Sequence, residues 1–582
     1  MSNLSELITS ILEKLGVRCA YGIPGGSIQP LFHKLRKSKL IKTHIVHHES
    51  NAGFAAIGSW YSMREKNQVP LIYSTSGPGI TNAITGITTA CYENIPLIFI
   101  TSNVSENYRG LGAIQDSFSQ DIDCVSMLKS ITCQSLLYRD YMNIYDVLYD
   151  LYQYAIQNNK PVHINFPTNI LSKKIDEGFD LEKFKNRDKP IDLHKISSTN
   201  LKIKHINQYI ELFLESEKPL LFIGNAIKNL GLAPKIIKLS KKYKIPIINT
   251  SHSKGVMNDE CEFYIGNYGF ASNDYSSNFI NNYNPDSILL LGTSLSDFGT
   301  NFNEQFYNAK NLIYVNNNKS HFNRFFTNTT NLYYDLTKFI DLIENAKTSI
   351  NNNFNRDKYL NKLIKKETKI DYLSNISDLK KDKAVHPALL FSKLSEYLIT
   401  NANKKYFIAP DIGNSLAWVI NKLPHCKNLD YYIPIGLGCM GSGIGIAVGY
   451  AMTVKEQTTT ICITGDCAFN MSGIEILSAI ENNANFKLII LNDRGHGMVD
   501  HGSKILNQHS EVRFRNRISY KKLADSMNAD SAEIINNGQM LDYNFDNFTQ
   551  SKKPYILDIH IDETVNAPIG NRILGLKLNQ KN

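Results

Sequence analysis

Short aliphatic runs, each closed by glycine and oxygen-bearing side chains, recur along the chain with helical stretches between them. Near the carboxyl end, the runs around Thr459, Ile461, Cys462 and Ile463 and over Lys487-Leu488-Ile489-Ile490-Leu491 have the composition of strands buried on both faces. Ile474 to Ile480 between them reads as helix, so the unit predicts strand–helix–strand. The first run leads into Gly465-Asp466-Cys467-Ala468-Phe469-Asn470, the second into Asn492-Asp493-Arg494-Gly495. Asp466 and Asp493 are therefore expected at the carboxyl ends of parallel strands, where α/β sheets bind ligands.

The same pattern divides the chain into three blocks. The first opens with helically spaced Leu4, Ile8, Ile11, Leu12 and Leu15 and runs to about Ser172. Lys173 to Asn200, rich in Lys, Asp and Pro, reads as a linker. The middle block begins near Leu201 and holds two buried-type strands, Pro219 to Gly224 and Ser287 to Gly292. A second linker is expected from Asn351 to about Lys383, and the third block spans Ala384 to Gly570. No short-period repeat is visible.

Composition narrows the classes. At about 150 residues per domain, 582 residues make three or four domains. A hydrophobic share of 42% with 20% charged residues suits a soluble globular chain. No apolar run approaches the roughly 20 residues of a membrane helix. Met1 to Glu6 carries no basic region followed by an apolar stretch, so secretion is not expected. Nine scattered cysteines form no CxxC pair and no metal spacing; reduced, buried thiols and a cytoplasmic location are expected. The net charge of +9 raises the question of nucleic acid. The lysines, however, are interleaved with Asn and acidic residues and form no basic stripe with aromatics, which reads as a solvated surface.

A few turns carry chemistry. Tyr21-Gly22-Ile23-Pro24-Gly25-Gly26 is a Gly/Pro turn after the first helix, and His47-His48-Glu49-Ser50-Asn51 opens a small-residue helix. A carboxylate there is partly buried, which raises its pKa and suits proton exchange with a nitrogen base; a plain helix cap is the bland alternative. Thr75-Ser76-Gly77-Pro78-Gly79-Ile80-Thr81-Asn82 is a glycine turn opening another helix, with free backbone N–H groups. Asp411-Ile412-Gly413-Asn414-Ser415 ends a strand, and Gly436 to Gly443 opens an apolar helix, Ile444 to Met452. That turn contains GxGxxG, a dinucleotide signal that is weak in isolation. The acid that could follow it, Asp466, sits in a glycine turn better suited to metal and phosphate. A hard dication such as Mg²⁺ takes oxygen ligands; Asp466 and Asp493 offer them, with Asn492 as the fallback. Cys467 and Ala468 place backbone N–H groups at a helix start, an anion site for diphosphate.

Together, Pro24-Gly25-Gly26, HHESNAGFAA from His47, TSGPGITN from Thr75 and NIPLIFIT from Asn94 resemble the pyrimidine-binding domain of the thiamine diphosphate (ThDP)-dependent acetolactate synthase family. Gly465 to Asp493 is similar to that family's magnesium–diphosphate motif, and Ile114-Gln115-Asp116 to its FQE segment. The likeness covers the first and third blocks well and the middle one loosely. It implies an α/β fold of three doubly wound parallel-sheet domains: a pyrimidine domain over 1–172, a central domain over 201–345 and a diphosphate/Mg²⁺ domain over 384–570.

The resemblance implies ThDP and Mg²⁺ as cofactors. Glu49 would hydrogen-bond the aminopyrimidine N1′, and Met440 would prop the bent cofactor. Asp466, Asp493 and the Gly495 carbonyl would hold the metal. Gly25, Pro78 and Asn82 would contact the cofactor from the first domain. Gly413, Asn414, Ser415 and Gly438 would do so from the third, with Gly465, Cys467 and Ala468 at the diphosphate and His496, Gly497 and Met498 beyond it. His48, Gln115 and His496 join Glu49 as catalytic candidates; His501 is a further proton-transfer candidate, and each histidine is also readable as structural.

Two departures stand out. The family usually has Asn where Asp493 stands; Asp keeps a ligand oxygen and adds charge, so either metal affinity rises or Arg494 compensates. After its GMV segment the family has a bulky tryptophan where this chain has Gly502, which opens space and favours an acceptor larger than pyruvate or 2-oxobutyrate. The family's central domain binds FAD, but Gly292-Thr293-Ser294-Leu295-Ser296-Asp297-Phe298 lacks the family's arginine, which weighs against FAD.

The expected reaction is decarboxylation of a pyruvate-like 2-oxoacid and transfer of the acyl carbanion to a second carbonyl, forming a 2-hydroxyketone. The alternatives are a simple decarboxylase releasing an aldehyde and an inactive regulatory homologue; the joint presence of Glu49 and Asp466 argues against the latter. In the family these two residues meet across a subunit interface, so a homodimer or homotetramer is expected, with neither nucleic acid nor membrane as partner.

Overall fold

The computed structural model describes residues 3–64, 68–117, 122–140, 142–175, 203–272, 274–301, 308–322, 328–346, 356–364, 379–454, 457–508 and 511–569. Among them, three six-stranded parallel sheets follow one another along the chain. The first comprises β1 (Cys19–Ile23), β2 (Lys42–Ile45), β3 (Leu71–Ser74), β4 (Leu97–Asn103), β5 (Gln134–Leu137) and β6 (Pro161–Pro167), in the order β2-β1-β3-β4-β6-β5. The second comprises β7 (Pro219–Ile223), β8 (Ile247–Thr250), β9 (Tyr264–Tyr268), β10 (Ser287–Leu291), β11 (Asn311–Asn316) and β12 (Thr330–Tyr333), in the order β12-β11-β10-β7-β8-β9. The third comprises β13 (Lys405–Pro410), β14 (Leu429–Tyr431), β15 (Thr458–Gly465), β16 (Phe486–Asn492), β17 (Asp530–Ile534) and β18 (Tyr555–His560), in the order β14-β13-β15-β16-β18-β17.

The expected strands are present because their apolar runs are buried on both faces. Every residue of β7, β10 and β16 is buried, as helix-covered parallel sheets require. The first and third sheets share one strand order when each is counted from its own first strand. That repetition lies in topology and left no periodic trace in the sequence. In both sheets the connections reverse direction beside the first and third strands, so a crevice opens at the ends of β1 and β3 and again at the ends of β13 and β15.

Two expectations change. The helix expected over 474–480 starts much earlier: it spans Asp466–Ser472, passes through a 3-10 turn at Gly473–Glu475 and resumes over Ile476–Glu481. Gly473 allows this tight join, because a Cβ there would lie 2.6 Å from the Phe469 ring. The second expected linker holds a helix, Arg356–Leu363. Its Leu360 is buried in the central core, and the Arg356 guanidinium donates to the carbonyls of Tyr243 and Leu214. Lysine- and asparagine-rich composition concealed it. Of the first expected linker, all but Lys173 to Ile175 lies outside the described residues.

The first and third domains share one apolar core, to which Phe54, Ile57, Ile446 and Val448 all belong. Its seam is the Glu49–Met63 helix packed on the Ser442–Thr453 helix. Small residues let these backbones touch: a Cβ on Gly58 would come 1.9 Å from the Ile446 carbonyl oxygen, and one on Gly449 2.0 Å from that of Ala55. Each fully buried aliphatic or aromatic side chain in such a seam contributes about 1.5–3 kcal/mol. No helix among the described residues is long and apolar enough to cross a membrane.

Candidate active site

Glu49 enters at the end of β2. His48 before it is extended, and its Nδ1 accepts the Ser50 N–H at 3.2 Å, capping the Glu49–Met63 helix. That assignment leaves the ring proton on Nε2, with the ring exposed. Glu49 itself is 8% exposed. Its Oε2 accepts from Asn82 Nδ2 at 3.1 Å, its one side-chain partner among the described residues. Asn82 sits in the first turn of the Pro78–Glu93 helix, after β3. Gly25, after β1, lies so close to Thr75 that a Cβ would be 2.5 Å from its hydroxyl oxygen. Pro78 and Gln115 line a cavity of about 380 Å³ together with Thr81, Asp116 and Met127.

The second set lies at the ends of β13, β15 and β16. Asp411 is fully buried; its Oδ1 accepts the N–H groups of Ile412 (2.8 Å) and Gly441 (3.0 Å), and its Oδ2 that of Gly443 (3.1 Å). Burial pushes its carboxyl up to about 7 against the pull of these backbone donors. Gly438 is left-handed, and Met440 beside it is half-buried and joins none of the apolar clusters among the described residues. That separates Met440 from a core methionine such as Met540.

Asp466 and Asp493 come together here. Burial and then the Asp493 charge push Asp466 up to about 7. Burial also raises Asp493, while Arg513 holds it back. Arg513 Nη1 lies 3.3 Å from Asp493 Oδ2, and its Nη2 2.6 Å from Asp500. Arg494, whose compensation is one of two readings of the added charge, pairs instead with Glu563 at 3.0 Å. The fallback ligand Asn492 faces the other way, as successive strand residues do; its amide donates to Asp558 (2.9 Å) and to the Ile518 carbonyl (3.0 Å).

Gly497 closes on this pair. A Cβ there would lie 2.0 Å from Asp493 Oδ2 and 2.8 Å from Asn414 Nδ2. The Asn414 amide donates to His501 Nδ1 at 3.4 Å, and His501 Nε2 faces the Glu563 carbonyl at 3.1 Å. Both ring nitrogens of buried His501 are thus occupied, so it buttresses Asn414 rather than moving protons. Among the described residues Asn414 Oδ1 is buried without a partner, and a Cβ on Gly413 or Gly465 would meet none of them within 4 Å.

Two expected cofactor groups are used within the protein. The Ser415 hydroxyl donates to the Asp411 carbonyl at 2.8 Å, and the Cys467 N–H to Asp466 Oδ1 at 2.8 Å. Ala468 is buried in the next position of the same helix. The Gly495 carbonyl accepts from the Gly497 N–H at 3.0 Å, which leaves a second lone pair. His496 precedes the Gly497–Ile505 helix with its ring edge on Phe514, and Met498 packs against the third-domain core.

Replacing one carboxylate of the pair tests its coupling. A dication seated between the two carboxylates would have to displace the Asp466 proton below about pH 7, so Mg²⁺ affinity at this pair would rise with pH through that range. Asp493→Asn removes the facing charge, lowers the Asp466 pKa and should flatten the pH dependence of Mg²⁺ binding between about pH 5.5 and 7.5. Calorimetric titration reads this directly; a slope equal to that of the unmodified protein would refute the coupling.

Sequence reasoning missed several residues that hold the site. Glu475, fully buried, accepts from the His47 N–H (3.0 Å) and Asn51 Nδ2 (2.9 Å), tying the third domain to the turn that carries Glu49. This hydrogen-bonded carboxylate raises the His47 pKa. An acid inside an otherwise apolar helical stretch was the available signal. Arg513 gave none, because its partners lie on a separate strand end and helix. Among the described residues no hydrogen bond joins Glu49 to Asp466, Asp493 or Met440.

Comparison with known proteins matches three profiles of one enzyme family along the chain. The profile described as "Thiamine pyrophosphate enzyme, N-terminal TPP binding domain" matches residues 2–127. Those for the central domain and the C-terminal TPP binding domain match residues 206–343 and 411–559. The chain is 27% identical over 580 residues to an acetolactate synthase large subunit from Porphyra purpurea, covering 96% of this chain and 92% of the relative. A probable acetolactate synthase large subunit from Methanocaldococcus jannaschii is 27% identical over 97% of this chain and 93% of its own length. The large subunit of acetolactate synthase isozyme 2 from Escherichia coli is 22% identical over 97% and 96%.

Proposed function

Because this chain belongs to the thiamine pyrophosphate enzyme family, we propose that it is a ThDP- and Mg²⁺-dependent carboligase of the acetolactate synthase type. It decarboxylates a 2-oxoacid and transfers the acyl unit to a second carbonyl, giving a 2-hydroxyketone. The buried Asp466–Asp493 pair carries this reading: two carboxylates pressed together inside the fold are an oxygen donor set for a hard dication. The orphaned Asn414 Oδ1 and the open space at Gly413 and Gly465 fit a polar group seated at the same strand ends.

Bound ThDP would supply a nucleophilic carbon and an electron sink for the bonding pair left behind when the carboxylate departs as carbon dioxide. Asp466, Asp493 and the Gly495 carbonyl would hold the metal that neutralises the diphosphate. Glu49 would hold and return a proton at the pyrimidine ring nitrogen; its near-burial and its single partner, Asn82, fix the carboxyl and leave one oxygen for that contact. Met440, free of the core, supports the cofactor from one side. His48, through its exposed Nε2–H, Gln115 and His496 would handle protons and orient the acceptor. Residues 1–172 and 384–570 supply the two halves of the site. Within one chain no hydrogen bond among the described residues joins Glu49 to Asp466, Asp493 or Met440, which supports a homodimer or homotetramer in which a second copy completes each site. In the Gly292–Phe298 turn the Leu295 N–H bonds Thr293 Oγ1 at 3.1 Å, and the proposed reaction needs no FAD.

Gly502 lies in the Gly497–Ile505 helix, where a Cβ would meet nothing within 4 Å. Gly502→Trp should shift the ratio of small to large acceptors by about tenfold or more toward the small ones; an unchanged ratio removes Gly502 from the pocket. The function itself is tested by incubating the protein with ThDP, Mg²⁺, 2-oxoacids and aldehydes, followed by mass spectrometry. Hydroxyketones support the carboligase, aldehyde alone the decarboxylase, and no product from any pair the inactive homologue.

A further inference from the structure

We propose that Glu93 is a positioning residue for the loop Gly436–Met440, holding it from another domain at the point where all three domains meet; this rests on the reading of Met440 as a support for ThDP. Glu93 ends the Pro78–Glu93 helix and is 3% exposed. Its Oε1 accepts the Gly436 N–H at 3.0 Å. Its Oε2 pairs with Nε2 of His252, from the central domain, at 3.0 Å. The approach requires glycine, since a Cβ on Gly436 would lie 2.5 Å from Glu93 Oε1. One turn earlier on the same helix, Thr89 Oγ1 lies 3.4 Å from Cys439 Sγ.

The far end of the loop is tied as firmly. Asp411 takes the N–H groups of Gly441 and Gly443, so the stretch bearing Met440 runs between two buried carboxylates. Between those anchors Met440 joins no apolar cluster among the described residues that would fix its place. A charged hydrogen bond from a buried carboxylate is among the stronger polar contacts, and losing it frees the near end of the loop.

The helix that delivers Glu93 also delivers Asn82, the partner of Glu49. Its 16 residues make a rod of about 24 Å. The first turn of that rod orients the proposed proton carrier, and its last turn fixes the proposed cofactor loop. One rigid element therefore sets both halves contributed by a chain.

The test uses the full-length protein and calorimetric titration with ThDP in excess Mg²⁺, alongside steady-state kinetics. The unmodified protein should bind ThDP. Glu93→Ala should weaken that binding on the order of tenfold or more and lower kcat, with the 2-oxoacid KM within about twofold. Glu93→Gln, which keeps an acceptor for Gly436, should restore most of the affinity. In a Met440→Ala background the Glu93→Ala effect should shrink to within about twofold, because both act through one loop. Gly436→Ala attacks the same contact from the other side and should reproduce the loss even where Glu93→Ala does not fold. If the unmodified protein does not bind ThDP, the cofactor reading itself fails. If it binds and both Glu93→Ala and Gly436→Ala bind equally well, or if the Glu93 and Met440 effects add fully, the positioning role is overturned.

Discussion

Glu49→Gln is expected to lower kcat by about 10²–10⁴-fold while ThDP binds within a few-fold of the unmodified protein. The substitution keeps shape and volume, and the Gln oxygen still accepts from Asn82 Nδ2, so the helix start and its His48 cap stay in place. What it removes is the ionisable proton. A group that only capped the helix would lose little by this exchange, whereas a group that passes a proton to a ring nitrogen loses its function outright. Calorimetry for ThDP and single-turnover decarboxylation separate binding from chemistry. Turnover within tenfold of the original would eliminate Glu49 as the proton carrier.

Asp466→Asn should act in two opposite directions. Cofactor binding in the presence of Mg²⁺ should fall by about 100-fold or more if Asp466 holds the metal as proposed, because the buried site would then lose an anionic ligand. Stability of the metal-free protein should move the other way. Asp466 has a folded-state pKa raised to about 7 by burial and by the Asp493 charge. Its contribution to stability is complete only below the unfolded value of about 4 and is lost as pH rises through about 7. At pH 8 the unmodified, metal-free protein therefore carries an unfavourable buried charge that the Asn variant lacks, while the Asn side chain still accepts the Cys467 N–H. Thermal unfolding at about pH 8 without metal should give a midpoint for Asp466→Asn equal to or above that of the original. A clear drop would mean that the carboxylate supports the fold rather than the ligand. Sites kept for function commonly show this opposition between activity and stability.

The sequence announced the strands and the turns that follow them. Runs such as Lys487 to Leu491 are nearly all aliphatic because both faces of β16 are covered, and that constraint is local enough to read. Asp466 and Asp493 were legible for the same reason, as polar residues just past such runs; Glu49 follows the short, half-exposed β2 and stood out only through the motifs around it. What stayed hidden is which turn meets which. Arg513 pairs with Asp493, while Arg494, the compensating cation in one of the two readings of the added charge, is left-handed just past a strand end and pairs with Glu563. Asp411, Glu93 and Glu475 each bind backbone or amide N–H groups far away in the chain, and no periodicity encodes such pairings. The matching strand orders of the first and third sheets escaped notice because topology constrains burial and connection, not residue identity.

The shared core of the first and third domains also bears on how the chain is made. The Glu49–Met63 helix leaves the ribosome early, and its partner, Ser442–Thr453, leaves only after the entire central sheet. At about 5–20 residues per second, tens of seconds of translation separate them. Throughout that interval Phe54, Ile57 and Trp60 have no Ile446, Val448 or Tyr450 to cover them. The nascent first domain must therefore wait with a sticky face exposed, a natural client for a holding chaperone. The protein becomes a finished object only when its last third arrives.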